Sequence, residues 1–155
     1  MLRNLIGAKH TTEIFKIGST DVKRGAIVVK DYTNKVANKA SATGVEIFFV
    51  DYNFVPSGYQ SDMEISAYTD QADIVKAGTN AVLIKPQLGE TWALDQVVTT
   101  GLAAGDYAIA GSSGNVGKLV KATTGNVATL RYVGEYKDGD QTLYAFEVVE
   151  PKTIA

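Results

Sequence analysis

The chain has 155 residues, of which 45% are hydrophobic and 21% charged, and it contains no cysteine. That is enough chain to bury a core, in one domain or two small ones, and the composition excludes a disordered protein. Disulfides, thiolate nucleophiles and cysteine-held zinc are excluded too, and a net charge of −2 argues against a general nucleic-acid binder.

No stretch near the start has the apolar run of a signal peptide, and none approaches the ~20 apolar residues of a membrane span. Synthesis in a cytoplasm, without signal-directed export and without a membrane partner, is the expectation. Residues Met1 to Gly18 carry Leu2, Leu5, Ile6, Ile14 and Phe15 without a sustained helical period. They read as an arm or a first short strand, either packed on its own domain or reaching a neighbouring subunit. Residues 19–155 read as a single β domain.

Asp21 to Val29 is a charged turn running into a β-branched strand. A polar hairpin follows, with turns at Thr33–Lys35 and Thr43–Gly44 around a short strand near Val36. Val45 to Val50 (VEIFFV) is a strong strand. Asp51 to Tyr59 is a loop turned by Pro56, Ser57 and Gly58, and Met63 to Tyr68 alternates as another strand. Thr69 to Asp73 could cap a helical turn over Ile74–Ala77. The alternative is a strand followed by a turn at Ala77–Asn80. Strands are expected at Ala81–Lys85, stopped by Pro86, and at Thr91–Thr99.

From Gly101 to Glu150 the chain is a run of short apolar segments divided by glycine clusters, the punctuation of consecutive hairpins. The segments are Tyr107–Ala110, Lys118–Lys121, Val127–Val133 and Leu143–Val149. In the last of them Leu143, Ala145 and Glu147 point one way, and Tyr144, Phe146 and Val148 the other. Turn signals every ~8–12 residues make this an all-β fold, a small barrel or sandwich of short antiparallel strands.

Two stretches echo each other. Gly25-Ala-Ile-Val-Val leads through a hairpin to Lys39-Ala40 and then to Val45–Val50. Gly105-Asp-Tyr-Ala-Ile leads through Gly111–Asn115 to Lys121-Ala122 and then to Val127–Val133, the offset drifting from 80 to 83 positions. A duplication would place two similar β units in one fold.

Residues with chemical potential do not assemble into a motif. Gly111 to Lys118 resembles a phosphate loop, but Ser112 stands where glycine is needed and Leu119 where a magnesium-binding hydroxyl is needed. His10 is the single histidine, and one histidine without cysteine builds neither a triad nor the usual transition-metal site. Asp62, Glu64, Asp70 and Asp73 form a loose carboxylate cluster, as a hydrolase would need, but nothing in their spacing requires it. Asp138-Gly139-Asp140 reads as a hairpin turn. No catalytic residue, cofactor or metal is assigned. Tyr52, Phe54 and Tyr59 share one loop, a surface suited to a protein or, with Trp92, to a sugar.

The order Arg24–Val29, Gly105–Ala110, Gly117–Ala122, Gly125, Arg131–Gly134 and Leu143–Val149 resembles the head decoration, or cement, proteins of tailed bacteriophages. The resemblance spans roughly Asp21 to Val149. It implies a non-enzymatic virion protein on the outer capsid surface that binds the major capsid protein and stabilises the shell. It also implies contacts with copies of itself, a trimer being the form that suits a local three-fold position. Partner-binding candidates are Leu2, Leu5 and Ile6 of the arm and Tyr52, Phe54 and Tyr59 of the aromatic loop. A tail-tube or fibre-associated protein and a carbohydrate-binding β module are the alternatives.

Overall fold

The computed structural model describes residues 1–7, 11–41, 46–51 and 73–155. Thirteen strands follow in order: β1 (Leu2–Ile6), β2 (Thr11–Lys16), β3 (Val22–Lys23), β4 (Ile27–Asp31), β5 (Val36–Lys39), β6 (Phe48–Asp51), β7 (Ile74–Val75), β8 (Asn80–Lys85), β9 (Thr91–Leu94), β10 (Tyr107–Ala110), β11 (Leu119–Lys121), β12 (Val127–Asp138) and β13 (Gln141–Thr153). No α-helix occurs among the described residues. The strands form a six-stranded sheet, β1-β9-β13-β12-β10-β11, a five-stranded sheet, β2-β8-β6-β4-β5, and a small β3–β7 ribbon, with every ladder antiparallel. The arrangement is a sandwich, not a closed barrel.

The sheets repeat one plan. Taking the strands of each in chain order as first to fifth, both run first-fifth-fourth-second-third, and β1 is an addition to the second sheet. The register repeats as well. Val28 faces Lys39 as Ala108 faces Lys121, and Ile27 faces Phe49 as Tyr107 faces Arg131. Val50 faces Leu83 as Tyr132 faces Phe146, and Ile14 faces Val82 as Ala93 faces Ala145. Backbone bonds outside the ladders recur too: Gly25 to Val50, Val50 to Ala26 and Ala40 to Ile27 in one, Gly105 to Tyr132, Tyr132 to Asp106 and Ala122 to Tyr107 in the other. Gly25 and Gly105 hold φ of 85° and 92°, a region closed to most side chains. The echo in the sequence is therefore a duplicated unit, β2–β8 without the β3–β7 ribbon and β9–β13, with an offset of 80 at Val28–Ala108, 82 at Lys39–Lys121 and 63 at Leu83–Phe146.

Each unit curls. Behind β2, Ile17 meets Ala37 of β5, and behind β9, Val97 meets Leu119 of β11, both as parallel bridges. The hollow of the first unit holds Ile17, Val28, Ala37, Phe48, Val50, Ala81 and Leu83, lidded by Val22 and Val75 of the β3–β7 ribbon. The hollow of the second holds Trp92, Leu94, Ala108, Leu119, Leu130, Tyr132 and Phe146. Into that second hollow packs the back of the first unit, through Ile27, Ala40, Phe49 and Ile84. Phe49 meets Trp92 edge to face, ring centres 5.8 Å apart. Fully burying each such side chain contributes about 1.5–3 kcal/mol, so this nested contact is the main adhesive between the units.

One open alternative closes and two expectations change. Of the two readings for Ile74–Val75 the strand holds, because its β-branched pair closes the first hollow through buried Val75. The following turn then carries the chain into a different sheet, so β7 and β8 are no hairpin. The Thr91–Thr99 strand stops at Leu94, where Asp95 takes a bond from the Met1 amine instead. The last two strands are longer than their apolar runs, meeting at the two-residue turn Gly139–Asp140 with positive φ at the glycine, the chemistry of a tight hairpin.

Candidate interaction surfaces

Residues Met1 to Gly18 supply an edge strand to each sheet. β1 lies on β9, and β2 lies on β8. Leu2 faces inward and is only 3% exposed, packed in the core between the units. Leu5 and Met1 are half-buried over Ala93, Leu143 and Ala145, on the back of the six-stranded sheet. Ile6 is 60% exposed. The Met1 amine lies 2.7 Å from Asp95 and 3.4 Å from Asp73, and donates to the Arg24 carbonyl. Tyr52, Phe54 and Tyr59 lie outside the described residues, as do His10, Asp62, Glu64 and Asp70.

The register gathers exposed apolar groups at one corner. Ile6 stands opposite Thr91, and Thr11 opposite Lys85, so the 86–90 connection joins the same end of both edges. Leu88 in that connection is 57% exposed, and Ile14, three residues along β2, is 72% exposed. In the sequence Ile14 is only one of the apolar residues of the arm, and Leu88 is not singled out; neither is among the partner-binding candidates. Nothing local distinguishes an apolar residue on an open edge from one in a core.

A second surface is the back of the six-stranded sheet. Arg131 and Glu147, cross-strand neighbours, pair at 2.5 Å, and Arg3 bonds Asp138 at 2.6 Å. Val133 and Tyr136 on β12 are 51% and 38% exposed. The Arg3 contact gives Asp138 a structural partner, consistent with its place beside the turn.

The mouth of the first hollow carries a charge pair. Lys30 lies over the Phe48 ring, 4.0 Å from its centre, and 5.4 Å from that of Phe15, and its ammonium pairs with Glu13. Its side chain is 8% exposed. Loss of hydration holds the Lys30 pKa below the usual lysine value, with Glu46 opposing and Lys85 adding to the shift. Tyr32, Glu46, Leu83 and Lys85 complete a cleft of about 150 Å³ there.

Trp92 is 3% exposed, and its indole N–H donates to Glu90 at 3.0 Å. A buried ring is no sugar platform, so Trp92 leaves that set. Glu90 is fully buried, accepts also from the Gln87 amide, and ties the β8–β9 connection to the core. Gly111 to Lys118 is the β10–β11 connection, wound through a 3₁₀ turn at Ser113–Asn115, with no helix after it. Asp73 accepts from the Met1 amine, and its carbonyl accepts from Arg24.

No family model matches the chain, and no curated protein sequence matches it. Among solved structures, the chain is similar to the N base of head fiber gp8.5 from bacteriophage phi29. The TM-score is 0.50 at 12% identity, over 95% of this chain and 99% of that one. At that identity the likeness is one of fold, and it extends over nearly the whole of both chains.

Proposed function

We propose that this chain is a non-enzymatic structural protein of a bacteriophage head, which binds the outer capsid surface and stabilises the shell of major capsid protein. The observation that carries the reading is the likeness, nearly end to end, to the base of a phage head fiber. The sequence resemblance to head decoration proteins, over roughly Asp21 to Val149, points the same way. Many copies on one shell make each contact multivalent in effect, so a modest face is sufficient. The corner of Ile6, Ile14 and Leu88, beside β1 and β2, the edge strands of the two sheets among the described residues, is such a face. It offers backbone pairing by strand addition together with apolar anchors. Self-association as a trimer is part of the same proposal.

The test is co-sedimentation with expanded capsids of the parent phage. Removing residues 1–18 would strip both sheets of an edge strand, so the informative variant is Ile6→Lys, Ile14→Lys and Leu88→Glu together. Saturable binding by the native chain, weakened about tenfold or more in the variant with its melting curve kept, supports the reading. No binding to any capsid form overturns it. Rings or tubes formed by the protein alone would turn the reading to the tail.

A further inference from the structure

Duplication exposes a missing partner. In the second unit Lys121 pairs with Asp106 at 2.7 Å. The matching positions in the first unit are Lys39 and Ala26, fixed by the shared register of Val28–Lys39 with Ala108–Lys121 and by the shared bonds of Val50 and Tyr132. The lysine is retained and the carboxylate is absent. Ala26 is buried at 2% exposure and forms part of a floor instead.

That floor belongs to a cleft of about 320 Å³ at the junction of the two units, where Gly117 of the second bonds Ile27 and Ala40 of the first. Val22, Ala26, Ile74 and Val116 give it apolar ground, and Lys23, Lys39 and Lys118 line it. None of these three lysines has an ion pair among the described residues. Asp21 is the carboxylate on the cleft wall, and it is engaged by the Ala77 amide and by Lys76, which hold its pKa below the usual value. The stem of Lys39 lies against Gly117. A Cβ there would meet Lys39 Cγ at 3.0 Å, so the glycine keeps room for that stem beside the cleft. In a chain of net charge −2, this is a local concentration of positive charge over an apolar base, without an ion pair at these lysines among the described residues and with only a weaker attraction from Asp21 toward Lys39.

We infer that the junction cleft binds an acidic peptide segment of a partner protein, one apolar side chain seated on the floor and a carboxylate taking at Lys39 the role that Asp106 plays at Lys121. Charge complementarity selects the partner, and the apolar ground separates a peptide from a bare anion. The inference is independent of the capsid reading and is tested on the isolated protein. The probe is a fluorescent peptide with glutamates on both sides of one leucine, followed by anisotropy. One variant carries Lys23→Glu, Lys39→Glu and Lys118→Glu. A control carries Lys16→Glu, Lys35→Glu and Lys137→Glu, the same overall charge change elsewhere. The expected result is binding that weakens with salt, falls about tenfold or more in the junction variant, and stays within about threefold in the control. It is overturned by no binding by the native chain, equal loss in both variants, or equal binding of a peptide with glutamine for glutamate. Inorganic phosphate binding more tightly than the peptide would also overturn it, assigning the lysines to a small anion.

Discussion

The two units share a register but not a role, and the difference lies in what each back faces. The cross-strand pair Phe49–Ile84 of the first unit corresponds to Arg131–Glu147 of the second. The first pair is sealed in the core between the units, while the second is a partly exposed ion pair. One ladder position thus carries grease or charge according to what lies against it, as expected when packing rather than backbone preference decides a strand residue. The hollows differ in the same way. Glu13 and Lys30 at the mouth of the first become Trp92 and Ala110 in the second, because the second mouth is plugged by its neighbour and the first is not. Duplicated units that nest front to back cannot both bury the same surfaces.

The heaviest blow to this picture is to transplant a pair. Phe49→Arg with Ile84→Glu puts an ion pair into the nested core, where desolvation and lost packing exceed ~5 kcal/mol together. The expected outcome is loss of a cooperative melt by circular dichroism. The reverse exchange, Arg131→Phe with Glu147→Ile, should leave stability within ~1 kcal/mol, since a partly exposed pair contributes little. A melt that survives the first exchange would break the nesting. Next in size is Trp92→Ala, expected to cost about 3–5 kcal/mol by urea unfolding. Its counterpart Glu13→Ala should cost roughly 1–2 kcal/mol, because Glu13 is 41% exposed.

Glycine substitutions sharpen the comparison further. Gly105→Ala meets nothing within 4 Å and should cost only backbone strain, roughly 1–2 kcal/mol. Gly25→Ala adds a Cβ at 2.6 Å from the Met1 carbonyl, so its penalty should exceed that of Gly105→Ala and should loosen β1. Amide exchange across Leu2–Ile6 would report it, and equal protection in the two variants would contradict the expectation. The smallest effect concerns acid. Lys121, and then the Ala103 amide, hold the Asp106 carboxyl below its ordinary value. A carboxylate lowered on folding adds stability above the ordinary carboxylate range and loses it as pH falls through the folded value. Asp106→Asn should therefore lower the urea midpoint slightly at pH 7 and leave it unchanged near pH 2.

Much of this was legible in the chain. Tyr107–Ala110 is a strand to the residue, and Ala81–Lys85 nearly so. The two-faced alternation of Leu143–Val149 became two clusters, Leu143 and Ala145 on the back, Phe146 and Val148 in the core. The echo of Gly25 in Gly105 survived as shared turns. Long-range partnership was the illegible part. No local pattern tells that Leu2 meets Leu94 or that Phe49 faces Trp92, and the short β-branched run at Ile74–Val75 fits a helical turn or a strand until its partner is known. The junction cleft was hidden for the same reason, since its lysines become a group only when the units nest.

The pairing of β1 with β9 also has a consequence for synthesis. Leu94 follows Leu2 by 92 positions (94 − 2), so at roughly 5–20 residues per second the first strand waits about 5–18 s for its partner to be made. During that interval an edge-forming segment is free to pair with other nascent chains. Arg3 and Asn4, set among Leu2, Leu5 and Ile6, interrupt its apolar run where a wholly apolar strand would invite aggregation. The second unit, whose long hairpin closes across a two-residue turn, waits less inside itself, since Phe146 follows its partner Trp92 by 54 positions (146 − 92), and it completes the edge that receives β1 last.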